Sequence, residues 1–120
     1  MGSPIKKFED LEVWKVSMRL TVDLYRELTD CTDFGLHDQL QRSAVSIPSN
    51  IAEGFERKSN KEFIQFLHIA KGSCAELRTQ LYIVKEIGLI DSEKIDGLLE
   101  QTQKIGARLY KLIQTRKVRF

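Results

Sequence analysis

Ser43–Ser59 reads SAVSIPSNIAEGFERKS, a run that keeps a helical period around a residue that helices normally reject. Leu40, Ala44, Ile47, Ile51 and Phe55 recur at spacings of three and four, the pattern of one buried helical face. Pro48 sits inside that run, where a proline removes a backbone donor and costs about 3 kcal/mol. Ser43, Ser46, Ser49 and Asn50 crowd around it. Opposite the apolar face lies a polar line, Gln39, Arg42 or Ser43, Ser46, Asn50 and Glu53. Two readings suit that line. It is either a hydrogen-bonded stripe facing another helix or subunit, with Ser and Asn repairing the backbone beside Pro48, or the lining of a small-ligand pocket. The packing reading is favoured, with Arg42 pairing with Glu53 or Glu76.

Outward from this segment the pattern stays helical, and no alternating run or Asn-Gly or Asp-Gly turn signals a strand. A first helix is expected over about 10–29. Leu11, Trp14, Met18 and Tyr25 form one apolar line and Val13, Val16, Leu20 and Leu24 a second. The proline-containing helix follows over about 36–55, and Gly54–Lys58 reads as the next break. Ser59 and Glu62 make a capping box for a third helix over about 59–87, with Phe63, Phe66, Leu67, Ala70, Cys74, Leu77, Leu81 and Val84 as its core line. Gly72 in its middle predicts close approach of another helix, and Gly88 stops it. Asp91 or Ser92 caps a fourth helix over about 92–116, whose Ile95, Leu98, Leu99, Thr102, Ile105, Leu109, Leu112 and Ile113 approximate a heptad seam. Short connections between long helices imply antiparallel neighbours. The expected fold is all-α, a single up-down-up-down four-helix bundle.

The SIPSNIAEGFERKS core resembles the four-helix-bundle family of 23S rRNA intervening-sequence proteins. Phe34-Gly35-Leu36 and Gln39 before it, and Glu62-Phe63, Phe66-Leu67 and Gly72-Ser73 after it, extend the likeness. It runs from about Phe8 to Ile113. The resemblance implies a ring-shaped homopentamer. It also implies kinship with the accessory protein of diversity-generating retroelements, which binds nucleic acid and a reverse transcriptase.

Composition narrows the function. The 120 residues suit one domain, and no run approaches the roughly 18 apolar residues of a membrane span. No signal stretch opens the chain, so a cytoplasmic location and no membrane partner are expected; Met1–Pro4 are given no weight. Cys31 and Cys74 have no metal-ligand spacing and read as free thiols, with a disulfide between them as the minor alternative. His37 and His68 fall on different helices, and no Glu-x-x-His, phosphate loop or nucleophile elbow occurs. An enzyme, a metal and a cofactor are therefore not expected.

The net charge is only +2, but it is unevenly spread. Residues 1–60 carry 8 basic and 10 acidic side chains and residues 61–120 carry 11 and 7, with no acid after Glu100. Lys104, Arg108 and Lys111 fall at i, i+4 and i+7 on one stripe, which Lys94 extends upstream and Arg116, Lys117 and Arg119 downstream. Arg57, Lys58 and Lys61 form a smaller cluster at another loop. Such a stripe meets phosphates by counterion release, with recognition of backbone and shape, since Tyr110 is the one ring near it. A solvated helix face is the plainer reading for a lone monomer. In a ring, several stripes act together on one polyanion. The favoured function is an oligomeric, non-enzymatic module contacting structured RNA or other nucleic acid. The alternative is a protein scaffold, with a polymerase such as a reverse transcriptase among its partners.

Overall fold

Four helices make up most of the computed structural model, which describes residues 5–120: α1 Glu12–Glu27, α2 Phe34–Phe55, α3 Asn60–Ile87 and α4 Ser92–Arg119. Met1–Pro4 lie outside the described residues. Each helix packs on its chain neighbours and α1 closes against α4, while the backbones of the diagonal pairs stay farther apart. The result is an antiparallel four-helix bundle measuring 46 × 25 × 20 Å. Its axis is filled by the residues that carried the helical period: Leu20, Leu24, Leu40, Ile47, Ile51, Leu67, Leu77, Leu81, Ile95 and Leu109 are all fully buried.

Local chemistry sets the helix ends. The Asp33 carboxylate accepts from the Leu36 N–H at 3.1 Å and the Ser59 hydroxyl from the Glu62 N–H at 3.2 Å. Asp91, rather than Ser92, caps α4 by accepting from the Glu93 N–H at 2.9 Å. Gly88 ends α3 in the left-handed region at φ 73°, where a side chain would be strained.

Several expected boundaries shift. Phe8–Asp10 form a separate 3-10 turn, because Leu11 is extended at φ −72°, ψ 124° and interrupts the path into α1. Helix α2 begins at Phe34, two residues early, and α4 continues to Arg119, which carries Lys117 and Arg119 onto the helix. Met18 and Tyr25 lie on the first apolar line of α1. They are exposed, and with Val22 and Val45 they leave an uncovered apolar strip along α1 and α2.

Helix α2 runs unbroken through Pro48, and the repair comes from a source the sequence did not indicate. Without a proline N–H, the carbonyl of Ala44 loses its partner one turn on. The Thr21 hydroxyl of α1 lies 3.2 Å from that oxygen and 2.9 Å from its own Ser17 carbonyl, so it shares its proton between them. Asn50 donates instead to the Ser46 carbonyl at 2.7 Å and hydroxyl at 2.9 Å, and Ser46 bonds Ser73 of α3 at 2.7 Å. Thr21→Val, nearly isosteric, leaves a buried carbonyl unpaired. It should cost about 1–3 kcal/mol in urea unfolding, and Thr21→Ser should recover most of that.

Two glycines reverse their expected roles. Gly54 is not a break: it is buried inside α2, where an added Cβ would lie 2.5 Å from the Phe66 Cβ. It lets α2 and α3 approach. At Gly72 an added Cβ would meet nothing within 4 Å, so no helix of this chain takes up the space predicted there.

Candidate nucleic-acid interface

The basic stripe is present on α4, but its members do different work. Lys94 pairs with Glu27 at 3.4 Å, Lys104 with Glu100 at 3.1 Å and Arg108 with Glu12 at 3.5 Å. Exposed pairs of this kind contribute at most about 1 kcal/mol, yet each carboxylate cancels charge a phosphate would otherwise meet. Glu27 and Glu12 come from α1, so the cancellation was invisible along α4 alone. The same packing adds a cation that the sequence reading missed. Arg19 borders, with Lys104 and Arg108, a hollow of about 140 Å³ floored by Val16 and Ile105. Its signal was available in principle, since Lys15 and Arg19 are one turn apart on the helix expected beside α4.

Arg116 is structural. Its Nε donates to the Asn60 side-chain oxygen at 2.7 Å, and the Asn60 amide donates back to the Arg116 carbonyl at 3.0 Å. The guanidinium stacks 3.8 Å from the Phe120 ring centroid and 4.9 Å from that of Phe63. Burial lowers its pKa from the usual arginine value. This clamp ties the end of α4 to the start of α3, and so brings Arg57, Lys58 and Lys61 to the same end of the bundle as Lys111, Lys117 and Arg119.

The antiparallel arrangement turns separate clusters into a charge dipole. At the end built from residues 5–12, 55–62 and 111–120, nine lysines and arginines face five carboxylates. At the opposite end, residues 26–38 and 85–97, three face eight. The positive end includes Lys6 and Lys7, which the stripe did not contain. Among its cations Arg57 pairs with Glu53 at 2.8 Å, whereas Lys58, Lys61, Lys111, Lys117 and Arg119 have no carboxylate partner among the described residues. Lys111 also borders a hollow of about 280 Å³ with Leu11, Val13 and Leu112 beneath it.

The polar line of α2 divides. Ser46 bonds Ser73 at the α2–α3 contact, and Asn50 bonds Ser46. Gln39, Arg42 and Glu53 are exposed, and Arg42 pairs with neither Glu53 nor Glu76 but with Asp38 at 2.8 Å, one turn back on its own helix. Among the described residues no group of three or more His, Cys, Asp or Glu side chains is placed to hold a metal ion, and no helix is long and apolar enough to cross a membrane.

Cys31 and Cys74 are both free. The buried Cys74 thiol donates to the Thr102 carbonyl at 3.2 Å, and burial raises its pKa from 9.0 to about 11. A raised folded-state value means the neutral thiol is the form the fold prefers. Its contribution is complete below pH 9 and is lost as the pH climbs towards 11. Denaturant unfolding should therefore show wild type losing about 2 kcal/mol more than Cys74→Ala across that window.

Residues 9–111 match the model of the 23S rRNA-intervening sequence protein family. The chain belongs to that family. Its fold is shared by a solved structure from Bacteroides thetaiotaomicron, described as a protein of unknown function from the S23 ribosomal protein family. That structure is 24% identical, with a TM-score of 0.81 over 86% of this chain and 99% of the other. No curated protein matches the chain. Family membership covers the whole of α1, α2 and α3 and most of α4, including Lys94, Lys104, Arg108 and Lys111, whereas Arg116, Lys117 and Arg119 lie beyond the matched span.

Proposed function

We propose that this protein is a non-enzymatic binding module that holds structured RNA against the positive end of its bundle, with Lys58, Lys61, Lys111, Lys117 and Arg119 as the principal phosphate contacts. Lys94, Lys104, Arg108 and Arg57 contribute less, because each is partly neutralised by a neighbouring carboxylate. Arg116 acts by holding the two clusters together. The observation that carries this reading is the segregation of charge to the two ends. A net charge of +2 is weak when averaged over the surface but becomes a local field when nine cations share one end.

In this reading the module is a self-assembled ring. The uncovered strip of Met18, Val22, Tyr25 and Val45 is the surface a second copy would cover, and the five-fold count is what the sequence resemblance implies. Parallel subunits would place every positive end on one face of the ring, multiplying a weak contact along one polyanion. The family description refers to intervening sequences of 23S rRNA, so an rRNA hairpin is the natural first probe. The second reading, a scaffold for a protein such as a polymerase, draws on the same apolar strip.

Fluorescence anisotropy of a labelled RNA hairpin at roughly 50 and 200 mM salt tests the proposal. Saturable binding that weakens by about tenfold or more at the higher salt is expected. Absence of binding at both would discard the RNA reading in favour of the scaffold.

A further inference from the structure

A second basic surface lies on another face of the bundle, between α3 and α4. His68, Lys71, Arg78 and Tyr82 recur along α3 on one side of a groove of about 610 Å³, and Gln103 and Ala107 of α4 form the other. Small residues open it. Gly72 and Ala75 of α3 face Gly106 of α4, and at both glycines an added Cβ would meet nothing within 4 Å. From His68 to Tyr82 the groove follows α3 for about 21 Å. Tyr82, 46% exposed, lines the groove, and Tyr110, 56% exposed, lies outside its lining but adjoins it through Lys71, whose ammonium is 5.7 Å from the Tyr110 ring centroid.

The charge here is of a different kind from that on the α4 stripe. Lys94, Lys104 and Arg108 each have a carboxylate partner, whereas Lys71 and Arg78 have none among the described residues. The groove therefore pairs uncompensated cations with exposed rings. That combination serves a single strand, whose backbone follows the cations while unstacked bases lie on aromatic faces. A duplex hides its base faces and would meet only the rim.

We infer that the α3–α4 groove binds a single-stranded RNA segment, with Lys71 and Arg78 on the phosphates and Tyr82 and Tyr110 as stacking platforms. This deepens the RNA-binding reading and rests on it, but uses residues apart from the positive end. An RNA helix carrying a single-stranded extension would then engage both surfaces, its helix at the end of the bundle and the extension in the groove.

The test uses two labelled probes, an unstructured oligouridylate of about 12 nucleotides and a hairpin whose loop is too short to follow the groove. Two variants are compared with wild type, Lys71→Glu/Arg78→Glu and Tyr82→Ala/Tyr110→Ala. All four residues are exposed, and circular dichroism with sedimentation checks fold and assembly. The charge variant should weaken oligouridylate binding by about tenfold and the tyrosine variant by at least about fivefold, with hairpin affinity unchanged. Hairpin binding without oligouridylate binding, or oligouridylate binding indifferent to both variants, overturns the groove and leaves the positive end standing. Failure of both probes overturns both readings. A changed sedimentation coefficient in the charge variant with unaltered oligouridylate affinity would make the groove a contact between copies, which also overturns the inference.

Discussion

Reversing Lys111, Lys117 and Arg119 to glutamate is expected to lower affinity for an RNA hairpin by about a hundredfold or more at roughly 50 mM salt. The size follows from counterion release. Every phosphate that no longer meets a cation keeps its condensed counterion, and each new carboxylate repels the next phosphate. None of the three side chains has a carboxylate partner among the described residues, so their removal leaves no buried acid and should not perturb the fold. Arg116 is deliberately left out, since its bond to Asn60 and its stacking on Phe63 and Phe120 would mix a folding defect with a binding one. Lys104→Glu/Arg108→Glu is the internal control. Those cations are already shared with Glu100 and Glu12, so their reversal should cost less. Anisotropy at two salt concentrations reads both the affinity and the slope. Unchanged hairpin affinity in the triple variant would remove the positive end from the RNA reading, whatever the groove then does.

Gly54→Ala and Gly72→Ala should move stability in opposite directions. Alanine is worth about 1 kcal/mol over glycine in a helix interior, and at Gly72 nothing opposes that gain. At Gly54 the new methyl would lie 2.5 Å from the Phe66 Cβ and 3.1 Å from a Phe63 ring carbon. A Cβ cannot rotate away, because the backbone fixes it, so α2 and α3 must separate along their most extensive contact. A net loss of about 1–3 kcal/mol is expected for Gly54→Ala, against a gain of up to about 1 kcal/mol for Gly72→Ala. Urea unfolding at one fixed protein concentration measures both, since any self-assembly would make apparent stability concentration-dependent. Equal and small effects would mean that the α2–α3 approach is looser than its geometry.

Much of the architecture was legible in the residues. A period of three and four was strong enough to identify α2 through Pro48, since burying Ile47 and Ile51 outweighs one lost backbone bond. Capping chemistry is local as well, so Ser59 and Gly88 marked real ends of α3. Gly54 misled because a glycine is permissive in a turn and equally necessary at a close crossing, and only the position of Phe66 separates these roles. The exposure of Met18 and Tyr25 was not legible, because periodicity shows that a face is apolar without showing whether this chain covers it.

The candidate interface was half legible. The cations of α4 were countable, and their spacing on one stripe followed from the helix alone. Which of them keep their charge available was not, because Glu12 and Glu27 reach them from α1. The repair of the Ala44 carbonyl by Thr21 belongs to the same class, 23 residues away in the chain.

What the sequence determined by itself is everything that depends on neighbours within a turn or two: four helices, their caps, their apolar faces and the all-α bundle. The tertiary structure alone decided which charges cancel, which glycine is indispensable and how scattered cations become one positive end. Coulomb interactions and steric contacts depend on distance in space, and antiparallel packing places Asn60 beside Arg116 and Glu12 beside Arg108 although long stretches of chain separate them.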